Sequence, residues 1–267
     1  GGTVSSENIV EKTLAPASTD GYAYGDGVYL YNRTKQEVDI AAMASAKVNI
    51  ELEEDGPEIL IMHTHGSEAY AQDTNNPYQE TDTARTTDER FNMIRVGDEM
   101  ATVFTELGFS VLHDRNLYDY PVYSGSYDRS KAAVEKYLAQ YPTIKIVLDV
   151  HRDALIGSDG TVYKAVSTVD GKKAAQVLLV IGSNDGGLEH PKWRENLTLA
   201  VQIQMSMNSL YPMLARPMTL RTSRFNQQLT TGSLLVEIGC HGNTLDEALL
   251  GAACFARAAG QVLMKMK

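Results

Sequence analysis

Apolar residues in this chain follow two rhythms that take turns, and the alternation predicts a layered protein. Short, mainly apolar runs at 58–63, 144–150, 175–181 and 234–238 have the length of buried strands, and 28–31 and 109–112 read as shorter ones. Between them the apolar positions fall at helical spacing. The clearest case is 91–107, where Val96, Met100, Val103, Phe104 and Leu107 share a face and Gly108 supplies the stop. Helices are likewise predicted over 35–44, 128–141, 193–210 and 245–264. Strands alternating with helices of this length pair mostly in parallel. The expected fold is therefore α/β, a mostly parallel central sheet flanked by helices on both faces. Residues 1–28, rich in Gly, Ser, Thr and Ala and without a sustained period, read as a loose N-terminal arm.

In sheets of this kind ligands sit beyond the carboxyl ends of the strands. His63 and His65 follow one predicted strand, His151 follows another, and Glu237 lies near the end of a third. Imidazole and carboxylate are natural zinc ligands, and a catalytic zinc usually takes three protein ligands and keeps one position open. His65, Glu68 three residues later, and His151 would supply that set. A lone histidine in such a turn more often just caps the strand by hydrogen bonding. It is the joint placement that favours a metal site. Strand alternation puts His63 and His65 on one face, and His65, further out of the sheet, is the preferred ligand. His63 is then expected to support a ligand or touch substrate. Glu237 is an acid inside an apolar run. It is either a structural ion-pair partner or a general base whose pKa burial raises.

Other features read as structural. Residues 241–244 are expected to cap the last helix through Asn243 or Thr244. Cys240 reads as a buried small apolar residue, and His113 and His190 as surface or loop residues. Residues 182–187 lack phosphate-loop spacing and read as a turn. The long polar stretch 72–88 suits a lid or substrate-binding loop.

Composition narrows the function. The 267 residues carry a net charge of −10 and no dense basic cluster, which argues against nucleic acid as a partner. No run approaches the roughly 20 apolar residues that span a bilayer. Two cysteines, Cys240 and Cys254, give no disulfide framework. The chain opens Gly1-Gly2-Thr3 without an initiator Met, so a preceding leader or anchor is compatible with what is seen.

Several separated blocks then match in order: His63-Thr-His-Gly-Ser-Glu-Ala-Tyr70, Arg95-Val-Gly-Asp98, Asp149-Val-His-Arg-Asp153, Phe225-Asn-Gln227, and Val236-Glu-Ile-Gly239 with Asn243-Thr244. From about Tyr29 onward the chain resembles the stage II sporulation protein P family. That resemblance implies an amidase/phosphorylase-hydrolase-like fold and a single catalytic zinc amidase domain over 29–267. It implies cleavage of the amide between N-acetylmuramic acid and L-Ala in peptidoglycan, with associated endopeptidase activity, during sporulation engulfment. It also implies a lytic transglycosylase and a polytopic membrane protein as partners. The expected location is extracytoplasmic, at the mother cell–forespore interface, through an N-terminal membrane anchor. His65 and His151 are implied as ligands and Glu237 as the catalytic acid. In related amidases a glutamate ligand opens the helix after the first strand. Here Asn92 falls at that place, so Glu68 is the expected third ligand and Glu89 the runner-up. Arg152 is expected to bind a stem-peptide carboxylate or to pair with Asp149 or Asp153. A peptide-only zinc carboxypeptidase and a non-catalytic wall-binding module are the competing readings.

Overall fold

A computed structural model describes residues 8–267. Eight strands form the central sheet: β2 (Ala23–Gly25), β3 (Val28–Asn32), β4 (Ile59–Met62), β5 (Val111–His113), β6 (Ile146–Asp153), β10 (Val177–Ile181), β11 (Met218–Leu220) and β12 (Gly232–Cys240). Their spatial order is β2-β3-β11-β10-β12-β6-β4-β5. Only β2–β3 and β10–β12 run antiparallel, so the sheet is mostly parallel, as the sequence pattern predicts. A smaller sheet joins β1 (Ile9–Lys12), β7 (Leu155–Ile156), β8 (Val162–Val169) and β9 (Lys172–Ala175). The described part of the expected loose arm is thus ordered structure, since β1 pairs in parallel with β8 and β2 antiparallel with β3. Residues 1–7 lie outside the described residues.

The apolar runs are buried because both sheet faces are covered. Ile146, Leu148 and Val150 of β6 join the large core, with α2 (Met93–Glu106), α4 (Trp193–Leu210) and α5 (Leu245–Met264). Val147 points the other way and packs with Leu60, Met62 and Val134, the last from α3 (Ser126–Gln140). A short helix, α1 (Ile40–Ser45), occupies part of the span predicted at 35–44. On the α3 side, strands β10 and β12 carry only a small cluster of Leu178, Val180 and Leu235 against Phe225. The face beside α3 therefore has room for polar chemistry.

Two local devices shape this face. After Glu237 the pairing of β12 with β6 shifts register, and Gly239 takes φ +59°. A Cβ there would lie 2.7 Å from both Ala175 Cβ and Asn243 Oδ1, so the bulge requires glycine. The next helix starts from a capping box between Thr244 and Glu247, while Asn243 Oδ1 accepts the Cys240 N–H at 2.8 Å. The expected cap at 241–244 is present, with Thr244 as the N-cap.

Candidate metal centre

Along β6 the residues alternate, so Asp149, His151 and Asp153 leave the sheet on the α3 side while Val150 enters the core. Residues 64–67 turn sharply after β4 and end the alternation that would pair His63 with His65. The turn is held by Asp149, whose carboxylate accepts from Thr64 N (2.9 Å) and Thr64 Oγ1 (2.7 Å). Thr64 Oγ1 also meets Ser130 Oγ of α3 at 2.9 Å. His65 therefore swings to the α3 side. His63 stays on the α2 side, with Nδ1 on Val150 O and Nε2 on His113 Nε2, each at 2.8 Å. His63 is fully buried and does not face the site, which corrects the expectation that the two histidines share a face.

Potential ligand atoms of His65, Glu68 and His151 all lie within 4.8 Å of one another. Their rings and carboxylate are closely confined. The His65 and His151 rings meet edge to face at 5.0 Å, and His151 Nδ1 lies 3.3 Å from Glu68 Oε1. Glu68 Oε1 and His151 Nε2 are both buried without a hydrogen-bond partner, although Nε2 is 2.7 Å from Asp149 Oδ1. That short contact lies outside hydrogen-bonding geometry, so proximity alone does not satisfy either atom. Two orphaned donor atoms beside a third ligand of the right chemistry fit a zinc ion with one open position. Glu89, by contrast, is well exposed and paired with Arg115 at 3.3 Å, away from this group. Asn92 is the N-cap of α2, its Oδ1 accepting from Ile94 N.

The charges explain the site's electrostatics. Burial opposes a charged His151, but Asp149 and Glu68 outweigh it and raise its pKa well above the ordinary histidine value. Burial also opposes the Glu68 carboxylate, yet His151 and Arg152 hold it at about 2. In His65 the imidazolium is disfavoured by burial and then by His151, and its pKa falls. Glu237 stands level with His151 across β12 and β6. Burial, followed by Asp153, pushes Glu237 up to about 8, and its Oε2 is buried without a partner.

Arg152 departs from expectation. Its Nε donates to Ala69 O (2.7 Å) and its Nη2 to Ala84 O (2.8 Å), while Nη1 lies 3.8 Å from Glu68. The guanidinium is buried and braces the ligand turn against the 72–88 loop, so it does not reach outward to substrate. It is Arg216, not Arg152, that pairs with Asp153, at 2.8 Å. Of the two expected as surface or loop residues, His113 lies in β5 and His190 lies in a loop but is buried. His113 Nδ1 bonds Asp98 at 2.9 Å behind His63, and His190 is 2% exposed. Cys240 is buried as expected, with its thiol pushed up to about 12 by burial.

Three neighbours escaped the sequence reading. Tyr123 stacks on His65 (4.8 Å, 16° between planes), Tyr127 meets it edge to face, and Arg85 lies over the Tyr123 ring. Arg85 also reaches Asp119 at 3.1 Å. Arg85 and Tyr123 come from loops whose positions no periodicity encodes, and Tyr127 opens α3. The one available signal was the density of aromatic residues between 118 and 127.

Solved structures with related architecture include the N-acetylmuramyl-L-alanine amidase Ami1 from Mycobacterium smegmatis. That match is 14% identical, covers 80% of this chain and 98% of that one, and has a TM-score of 0.46. The CwlD amidase from Clostridioides difficile, solved in complex with the GerS lipoprotein, is 12% identical over 78% of this chain and 98% of that one, with a TM-score of 0.43. Stage II sporulation protein P of Bacillus subtilis (strain 168) is 28% identical over 204 residues, 71% of this chain. The chain spans about half the length of that curated relative, covering 47% of it. The stage II sporulation protein P family matches residues 15–260. With nearly the whole sequence matched, this chain belongs to the stage II sporulation protein P family.

Proposed function

We propose that this chain is a zinc-dependent peptidoglycan hydrolase that cleaves the amide between N-acetylmuramic acid and L-Ala, with peptide cross-links as a second substrate. The observation that carries the reading is the convergence of His65, Glu68 and His151, with Glu237 level with His151 on the next strand. The activity implied by the family points the same way.

In this reading His65, Glu68 and His151 hold the metal. Zinc, when bound, supplies Lewis-acid polarisation of the scissile carbonyl and makes water reactive at neutral pH. Glu237 takes the proton from the attacking water and gives it to the departing L-Ala nitrogen, the work of a half-buried carboxylate with a raised pKa. Thr64 and Asp149 fix the turn that carries His65. Arg152 fixes the segment that carries Glu68. The setting proposed is extracytoplasmic, at the mother cell–forespore interface, alongside a lytic transglycosylase and a polytopic membrane protein. No helix among the described residues is long and apolar enough to cross a membrane.

Mass spectrometry of purified peptidoglycan after digestion tests the reaction. Free L-Ala amino termini and free lactyl carboxylates should appear with zinc and vanish after chelation. Products cut only within the peptide, with the lactyl–L-Ala amide intact, would replace the amidase assignment with a peptidase one.

A further inference from the structure

On the α3 side of the sheet a groove of about 430 Å³ leads from Glu237 across β10 and β11 to β3. Strand register lays out its floor. Leu235, Val180, Thr219 and Tyr31 stand level across β12, β10, β11 and β3. Strands β10, β11 and β3 run antiparallel to β12. Two residues beyond Leu235 is Glu237, and two residues beyond Thr219 and Tyr31 are Arg221 and Arg33, at the opposite end. The ladder continues to both arginines, with Arg221 N donating to Ile181 O and Arg33 N to Leu220 O. With about 4.8 Å between strands and about 3.4 Å per residue, the Cα atoms of Glu237 and Arg221 lie on the order of 16 Å apart.

The charge pattern along this groove is uneven. At the Glu237 end, Arg216 is paired with Asp153 at 2.8 Å. At the far end, no carboxylate among the described residues lies within ion-pair reach of Arg33 or Arg221. The Arg33 guanidinium lies only over the Tyr31 ring, 5.9 Å from its centroid. Like charges on neighbouring strands repel. Two such groups line one groove without a carboxylate partner among the described residues, so both are available to an anionic group of a ligand. A pair of guanidinium forks suits a carboxylate better than any uncharged group.

We propose that Arg33 and Arg221 form an anionic subsite that receives a free carboxylate of the peptide being cleaved. Given the reach of an extended chain and of the arginine side chains, that carboxylate lies roughly three to five residues from the scissile amide. The inference rests on the hydrolytic reading above, because it takes the Glu237 end of the groove as the point of cleavage. The subsite selects stem peptides whose far end is still acidic over those whose end is amidated or cross-linked.

The probes are N-acetylmuramoyl-L-alanyl peptides of graded length, otherwise uncharged, each made as the terminal acid and as the terminal carboxamide. Binding is measured by calorimetry on the zinc-loaded Glu237→Gln chain, with and without Arg33→Gln and Arg221→Gln. At one length the acid should bind at least about ten-fold more tightly than its carboxamide. The double arginine change should erase that preference while leaving carboxamide affinity and Tm unchanged. Arg221→Lys, which keeps the charge but loses the fork, should retain part of it. Equal affinity for acid and carboxamide at every length would overturn the subsite, as would a preference that survives loss of both arginines. The two readings fail separately. If the arginine-dependent preference is present but the unsubstituted chain hydrolyses none of the probes, the subsite stands and the hydrolytic reading falls. If acids and carboxamides are hydrolysed with equal kcat/KM, hydrolysis stands and the subsite falls.

Discussion

Each of the four side chains at the proposed centre fails differently when altered, which makes their roles separable. Replacing His65 or His151 with Ala should abolish stoichiometric zinc, since each supplies a donor that no neighbour can replace. Elemental analysis of the folded variants is the check. Glu68→Ala should lose far more zinc affinity than Glu89→Ala, because Glu68 lies in the donor group while Glu89 pairs with Arg115. A calorimetric zinc titration in the reverse order would move the ligand to Glu89. Glu237→Gln keeps the shape of the side chain but cannot take a proton, so turnover should fall about 10²–10⁴-fold with zinc content and Tm retained. Near-normal turnover by the metal-loaded variant would remove the base role. Residue types and their placement at strand ends made His65, Glu68, His151 and Glu237 visible in the sequence. The direction of Arg152 was not visible, because its partners are backbone carbonyls of Ala69 and Ala84 brought in by a loop.

Behind the site, α2 is fitted to a chain of polar groups that runs from Val150 O through His63 and His113 to Asp98. Gly97 of α2 sits against the two rings. A Cβ there would lie 2.6 Å from His63 Nε2 and closer still to His113. Gly97→Ala should therefore cost about 1–3 kcal/mol by overpacking, read as a lower denaturation midpoint with an unchanged slope. A smaller loss when Gly97→Ala is made in a His113→Ala background would locate the strain at that contact. Long periodic elements such as α4 and α5 were legible almost to the residue. The β8–β9 hairpin was not. Its strands alternate polar and apolar residues only weakly, and Lys172 and Lys173 occupy β9. Strand β6 also runs on through His151, Arg152 and Asp153, which polar character alone marks as a loop.

Across the molecule, stability and pH are linked through histidines that the fold keeps neutral. Burial first, then Arg224, lowers His190 to about 4, and both of its ring nitrogens are buried without partners. In His241, burial and then Arg152 lower the pKa to about 4. Both folded values lie below the ordinary 6.5, so the unfolded chain binds more protons. This share of stability is complete above pH 6.5 and is lost as pH falls toward 4. Melting temperature should drop across that window, and His190→Gln together with His241→Gln should flatten the drop. An unchanged slope in the double variant would assign acid unfolding to other groups, the fully buried His63 among them. At this scale the layered α/β architecture was legible from alternating periodicities, whereas the reversal of β10 against β12 was not, since a buried run reads the same in either direction.

The level pairing of Glu237 with His151 has a consequence for how the site is assembled. A slip of one residue between β12 and β6 would carry one of the two side chains through to the opposite face of the sheet. No partly assembled form can then hold the proposed base and the proposed ligand together, because they belong to strands distant in sequence. Under the proposed function, the base and the ligand would therefore come together only once β12 has closed on β6 in the native register.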